Sequence, residues 1–109
     1  ACNFFIVRKG AVWTSTGDYC LAGITRANII EICRRNGIPC FEKNFSLAQV
    51  YSADEAFCTG TFAGVTPVRK IDGRQIGDTL PGPMVRRLQR LYRELVEMDV
   101  MVQGGERLA

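Results

Sequence analysis

The chain has 109 residues, 47% of them hydrophobic, and a formal net charge of +3. This length predicts a single domain with a modest core, and the mild positive charge falls short of a nucleic-acid-binding footprint. No histidine is present, which excludes histidine acid–base catalysis and histidine metal ligation within these residues. Without an apolar run of about 18 residues or a signal-peptide pattern, we expect a cytoplasmic protein that binds neither nucleic acid nor membrane.

Five cysteines occur without a CxxC pair, so neither a zinc site nor a disulfide framework is expected. Cys33 falls on the apolar face of a predicted helix, and Cys58 falls inside an apolar predicted strand. Both are interpreted as small buried hydrophobic residues of a reducing compartment. The sequence therefore predicts no metal site.

The first half of the chain alternates strand and helix patterns. Residues 3–8 are an apolar run that predicts a strand, and a Lys-Gly turn signal separates it from a return strand at residues 11–13. Residues 25–36 have the apolar spacing of a helix, which Gly37 is expected to end. A further strand is predicted at residues 38–45.

The middle of the chain contains a capping box and a hairpin signal. Ser46 and Gln49 have the capping-box spacing, which predicts a short helix that starts at Ser46. Residues 55–59 predict the next strand. Strands at residues 65–71 and 74–76 flank an Asp-Gly pair, a strong signal for a tight hairpin turn.

A long amphipathic helix near the C-terminus is the clearest periodic element. Pro83 suits its first position, and apolar residues then recur at helical spacing. Gly104 and Gly105 are expected to end the helix, and residues 99–109 are expected to form a loose tail. Together these elements predict a mixed α/β (α+β) fold in one domain over residues 1–109.

The segment before the first predicted helix is a candidate anion site. Gly23, Ile24 and Thr25 directly precede that helix, whose N-terminus offers unpaired N–H groups and a partial positive charge. Thr25 adds a hydroxyl donor, and Gly23 allows a ligand to approach the backbone closely. The alternative interpretation is that Thr25 is an ordinary N-cap residue.

A second candidate anion site follows the strand predicted at residues 55–59. Thr59, Gly60 and Thr61 place two hydroxyl groups around a glycine at the carboxyl end of that strand, where ligands often bind in open α/β sheets. The alternative is a polar turn that closes the strand. Spacing alone leaves both interpretations open.

The remaining charged residues give weaker signals. The arginines of the last predicted helix suit an acidic partner, but a solvated face without interleaved aromatic residues is favoured. Asp54 and Glu55 would point to opposite faces of a strand, so they form no catalytic carboxylate pair. None of the three lysines has the desolvated context that a Schiff-base lysine needs, so no catalytic residue is predicted. The arginines are Arg86, Arg87, Arg90 and Arg93, and the lysines are Lys9, Lys43 and Lys70.

Several short motifs occur in a fixed order. They are Asn3-Phe4-Phe5-Ile6-Val7, Leu21-Ala22-Gly23-Ile24-Thr25-Arg26, Ala53-Asp54-Glu55-Ala56-Phe57, Thr59-Gly60-Thr61-Phe62-Ala63-Gly64-Val65-Thr66-Pro67-Val68, Ile71-Asp72-Gly73 and Pro81-Gly82-Pro83. This order resembles the C-terminal part of pyridoxal-phosphate-dependent class IV aminotransferases, the family of branched-chain and D-amino-acid aminotransferases. The resemblance covers residues 3–92 and implies the C-terminal cofactor-binding domain of the D-amino-acid aminotransferase-like fold.

The resemblance implies contacts to pyridoxal 5'-phosphate. Leu21 would pack against one face of the pyridine ring. Ile24 and Thr25 would offer backbone N–H groups to the phosphate, Thr25 would add its hydroxyl, and Thr61 would add a second contact. Backbone N–H groups at Thr61 and Phe62 would lie near the substrate carboxylate. The implied cofactor-binding residues are Leu21, Gly23, Ile24, Thr25, Gly60 and Thr61.

The chain departs from the family pattern in three respects. The family's Schiff-base lysine lies well upstream of the first strand, and no lysine here matches it. The glutamate that pairs with the pyridine nitrogen would fall before Ala1. Phe62 stands where many members have alanine and Gly64 where many have glutamate, which would reshape the substrate pocket. We therefore expect a piece of a larger enzyme, inactive alone and completed by a missing N-terminal part.

The resemblance implies transamination between an amino acid and a 2-oxo acid, in a homodimer, with the cofactor as the electron sink. An aminodeoxychorismate lyase-like enzyme, which shares the fold and the cofactor, is the alternative within the family. Outside it, the absent lysine suits a non-catalytic module that binds a phosphorylated ligand or a protein. A structural fragment without any ligand is the third possibility.

Overall fold

The computed structural model of the chain describes residues 3–16, 23–60, 64–78 and 80–108, with side chains described up to residue 98. In chain order the elements are β1 (Asn3–Arg8), β2 (Ala11–Thr14), α1 (Ile24–Arg35), β3 (Cys40–Glu42), α2 (Leu47–Tyr51), β4 (Glu55–Gly60), β5 (Gly64–Pro67), β6 (Lys70–Ile71), β7 (Arg74–Gln75) and α3 (Pro83–Leu108). The predicted mixed α/β class is confirmed. Within these ranges, no helix combines the length and the apolar character that crossing a membrane requires.

A five-stranded sheet forms the centre of the fold, with the strand order β3-β2-β1-β4-β5. Strand β1 pairs antiparallel with both β2 and β4, β5 pairs antiparallel with β4, and β3 is parallel to β2. Because β1 and β4 run in opposite directions, the start of β1 and the end of β4 lie side by side at one end of the strands. Asn3 there lies opposite Thr59.

The two faces of the sheet bury different side chains, because successive residues of a strand point to opposite sides. Phe5 and Phe57 stack with ring centroids 4.7 Å apart in the core beneath α1 and α3. Ile6 and Ala56 point the other way and pack with Val50 of α2 and with residues of the β6–β7 hairpin. The strands are apolar over consecutive residues because both faces are covered.

Two tight hairpin turns have positive φ at both central residues. Lys9 and Gly10 have φ of 50° and 78° between β1 and β2, and Asp72 and Gly73 have φ of 51° and 78° between β6 and β7. This pair of positive φ values is the type I′ pattern, whose twist matches that of the flanking strands. The predicted Asp-Gly hairpin turn is confirmed.

Three predicted boundaries are wrong. The strand predicted at residues 38–45 is only the three-residue β3 at the sheet edge, because only residues 40–42 are in register with β2. The strand predicted at residues 65–71 divides after Pro67 into β5 and β6, which belong to separate sheets. Helix α3 continues through Gly104 and Gly105 to Leu108, because a glycine inside a helix weakens it by only about 1 kcal/mol.

Candidate functional site

The N-terminus of α1 lies at the end of the sheet where β1 starts and β4 finishes. Gly23 is the N-cap residue, with extended φ and ψ of −82° and 152° and no side-chain cap. The first main-chain bond runs from the N–H of Ala27 to the carbonyl of Gly23, at 3.1 Å. The N–H groups of residues 24–26 therefore have no helical acceptor, and together with the helix dipole they suit an anion.

The Thr25 side chain, in the first turn of α1, faces the end of β4. It is the second helical residue, so the interpretation of Thr25 as an N-cap is wrong, and Gly23 has that position because its backbone is extended. The Thr25 hydroxyl donates to the carbonyl of Gly60 at 3.3 Å and lies 3.5 Å from the Tyr92 hydroxyl. Both distances exceed the usual O–H···O separation of about 2.7–2.8 Å. The buried hydroxyl is thus weakly held and can turn to a stronger acceptor.

Polar groups of β1 and β4 lie beside the start of α1. A Cβ atom on Gly23 would lie 3.0 Å from Asn3 Oδ1, so a side chain at Gly23 would crowd the start of β1. Thr59 is 1% exposed, and its hydroxyl has no hydrogen-bond partner among the described residues. A buried hydroxyl without a partner favours a further ligand or water nearby. Glu42 is the carboxylate beside the first turn of α1, and it is paired with Arg26, so the described residues here still fit a phosphate.

Arg26 fixes the first turn of α1 from the other side. Its side chain is 7% exposed, and Nη2 donates to the carbonyl of Ser15 and to Glu42 Oε1, each at 2.9 Å. The guanidinium therefore links α1 to the chain after β2 and to β3. The sequence motif contains Arg26, but its partners are 11 and 16 residues away, and no local spacing pattern predicts such a contact.

Several side chains away from the start of α1 have shifted pKa values. Hydrogen bonds from Arg34 and Arg35 lower the pKa of Glu31, on the exposed side of α1, to about 2. Partial desolvation, followed by the hydrogen bond to Asp72, raises the pKa of Tyr51. These groups belong to surface links of the fold and lie outside the candidate anion site.

The structure brings together only part of the predicted site. Thr25 lies against Gly60, which unites the two candidate anion segments. Leu21, Thr61 and Phe62 lie outside the described residues. The three lysines and the four arginines of α3 are exposed, as expected for a solvated face.

A cavity of about 800 Å³ lies at the opposite end of the strands, near the start of α3. Asp54, Glu55 and Asp78 contribute acidic side chains to its lining. The Glu55 carboxylate is buried and accepts the N–H groups of Met84 and Val85 at 3.0 and 2.8 Å, which caps α3. Arg87 also lines this cavity, which is separate from the candidate site because it lies where β1 ends and β4 starts.

The fold and the candidate site together define an α/β protein with an uncapped helix N-terminus at the end of a central strand. The chain belongs to the class IV aminotransferase family, since the sequence model of "Amino-transferase class IV" matches residues 1–71. The expected family membership is therefore confirmed.

Similar proteins agree with this assignment. A branched-chain-amino-acid aminotransferase of Pseudomonas aeruginosa is 45% identical over 94 residues, which are 86% of this chain and 31% of that protein. The solved branched-chain aminotransferase of Escherichia coli has a TM-score of 0.83 at 38% identity and is matched over 87% of this chain and 32% of its own. An aminotransferase of Brucella abortus bound to the cofactor PLP has a TM-score of 0.80 at 32% identity, over 87% and 33%. This chain thus spans about a third of each relative.

Proposed function

We propose that the chain forms the cofactor-phosphate-binding part of a pyridoxal-phosphate-dependent aminotransferase that transfers an amino group from an amino acid to a 2-oxo acid. Membership of the class IV family supports the reaction, and the Brucella relative bound to PLP supports the cofactor. When bound, pyridoxal phosphate supplies an electron sink at the substrate α-carbon. The residues of this chain bind and orient that cofactor.

The observation that supports the proposal most is the buried Thr25 hydroxyl at the uncapped start of α1, beside Gly60. A phosphate placed there would accept hydrogen bonds from the N–H groups of Ile24 and Thr25 and from the Thr25 hydroxyl. Bonds to an ionised acceptor are stronger than the neutral contact that Thr25 makes with Gly60. Phosphate binding would therefore replace a weak contact with a stronger one.

The proposal extends to residues outside the described ranges through family correspondence. Leu21 would pack against the cofactor ring, Thr61 would bind the phosphate, and the N–H groups of Thr61 and Phe62 would bind the substrate carboxylate. The catalytic lysine would come from residues other than these 109, in a two-domain enzyme that forms a homodimer. A cytoplasmic location is part of the proposal, since free thiols such as those of Cys33 and Cys40 persist in a reducing compartment.

Replacement of Thr25 by alanine tests the proposed phosphate site. The affinities for pyridoxal phosphate and for pyridoxal, which lacks the phosphate, are measured by equilibrium dialysis on the longest polypeptide that contains this chain. Loss of a hydrogen bond to a charged acceptor removes about 1.5–3 kcal/mol, so Thr25→Ala is expected to weaken pyridoxal phosphate binding at least tenfold. Pyridoxal binding is expected to stay unchanged.

Thr66→Ala is the matched control, because Thr66 is exposed on β5. It is expected to bind both compounds as the parent protein does. Unchanged pyridoxal phosphate affinity in Thr25→Ala would refute the phosphate site. Failure of the parent protein to bind pyridoxal phosphate at all would favour a non-catalytic module instead, and product analysis separates transamination from lyase activity.

A further inference from the structure

We propose that Tyr92 is a positioning residue of the phosphate site, whose phenol holds the Thr25 hydroxyl so that the Thr25 proton points to the cofactor phosphate. The inference rests on the proposed function, because Tyr92 acts only through Thr25. It adds the last helix to a site that the sequence motifs confine to α1 and to the end of β4.

The Tyr92 ring is held between β5 and the start of α1. Its hydroxyl lies 3.5 Å from Thr25 Oγ1, although the two residues are 67 positions apart. A Cβ atom on Gly64 would lie 3.1 Å from Tyr92 Cε2. Gly64 also has φ of 64°, which favours glycine. Glycine at the start of β5 thus leaves room for the ring to reach Thr25.

Each of the two hydroxyl groups has a single proton, and this determines which group donates in the contact. A threonine hydroxyl has one proton to donate and two lone pairs that accept. Thr25 donates its proton to the Gly60 carbonyl, so Tyr92 is the donor to Thr25. A phosphate that replaced Gly60 as the acceptor would leave this arrangement intact, and the chain from Tyr92 through Thr25 to the phosphate would polarise cooperatively.

The test is Tyr92→Phe in the longest polypeptide that contains the chain, with pyridoxal phosphate and pyridoxal as the probes. Loss of one neutral hydrogen bond corresponds to about threefold to tenfold weaker binding of pyridoxal phosphate, with pyridoxal unaffected. The phosphorus NMR signal of the bound cofactor is expected to shift as well. Tyr51→Phe is the matched control, because the Tyr51 hydroxyl bonds to Asp72 at 3.0 Å in a link between α2 and the β6–β7 hairpin.

A double-mutant cycle shows whether Tyr92 acts through Thr25. In the Thr25→Ala background, Tyr92→Phe is expected to have no further effect on pyridoxal phosphate affinity. An equal loss in both backgrounds, or an equal loss of pyridoxal binding, would show a general structural role and overturn the proposal. A normal Tyr92→Phe protein alongside a defective Thr25→Ala protein would also overturn it, while leaving the proposed function intact.

Folding of the variant is checked by its urea unfolding midpoint. If Tyr92→Phe unfolds, para-aminophenylalanine is placed at position 92, since its amino group retains a donor to Thr25. Parent-like affinity for pyridoxal phosphate in that protein would support the proposal. Weakened affinity in a folded protein that retains the donor would refute it.

Discussion

Cys33 and Cys40 form a thiol pair beneath α1. Cys33 is fully buried, and Cys40 is partly buried against the same core at the start of β3. The hydrogen bond between the two thiols, followed by burial, raises the pKa of Cys33. The same bond lowers the pKa of Cys40, because the Cys33 thiol donates to its sulfur and stabilises the thiolate. Cys40 is therefore the thiol of the pair that ionises first.

We expect Cys40 to react with iodoacetamide faster than Cys33, since the thiolate is the nucleophile. Cys33→Ala removes the donor, so the pKa of Cys40 rises and its labelling profile moves to higher pH. Cys33→Ser keeps a hydroxyl donor and serves as the control, with a smaller displacement. Peptide mass spectrometry across a pH series measures both rates. Faster labelling of Cys33, or a Cys40 profile displaced to lower pH in Cys33→Ala, would contradict the assigned direction.

The side chains that sequence reasoning missed share one property, which is that their partners are distant along the chain. Glu55 caps α3 from 29 and 30 positions away, and Tyr92 contacts Thr25 across 67. By contrast, the capping box joins Ser46 and Gln49, which are three positions apart, and it is present as predicted. A local spacing rule identifies bonds within one turn, whereas a buried cap from another strand becomes visible only after the chain has folded.

At the scale of elements, α1 is suited to a test of its backbone donors. Ile24 is the first helical residue, and its side chain is 80% exposed. Proline is favoured at this position, and the extended backbone of Gly23 suits a residue before proline. Ile24→Pro should therefore preserve the helix while it removes a single N–H group from the proposed phosphate site.

Because the acceptor is charged, we expect Ile24→Pro to weaken pyridoxal phosphate binding about tenfold or more, with unchanged helix content by circular dichroism. Ile24→Ala is the control that truncates the exposed side chain but keeps the N–H group, and it should bind as the parent protein does. An equal loss in both variants would mean that the side chain matters and the N–H group does not. Parent-like binding by Ile24→Pro would exclude this N–H group as a phosphate donor.

Elements whose signal is contained in a few adjacent residues were predictable. The apolar run of β1 and the Asp72-Gly73 turn are of this kind, and both occur where predicted. Strand β3 is shorter than predicted because only three of its residues have a partner on β2. The division between β5 and β6 depends on which strand each segment pairs with, and apolar patterning does not specify that partner.

At the scale of the whole molecule, the candidate site is formed by separated segments of the chain. The start of α1, the end of β4 and the middle of α3 meet at one end of the sheet's strands. Family resemblance predicted the first two, because their motifs are short and specific. The contribution of α3 depends on how that helix packs across the sheet, which its own amphipathic pattern does not determine.

The exposure of all three lysines leads to a prediction about the proposed enzyme. Lys9, Lys43 and Lys70 are all exposed, whereas a lysine that holds a carbonyl cofactor needs a desolvated or cation-flanked site to lower its pKa. In the longest polypeptide that contains this chain, borohydride should fix pyridoxal phosphate to a lysine outside these 109 residues, as peptide mapping would show. A control protein with Lys9→Arg, Lys43→Arg and Lys70→Arg should retain full transaminase activity, because arginine keeps the surface charge. Specific fixation at one of the three, with activity lost in the control, would place the catalytic lysine within this chain and refute the proposed division of the site.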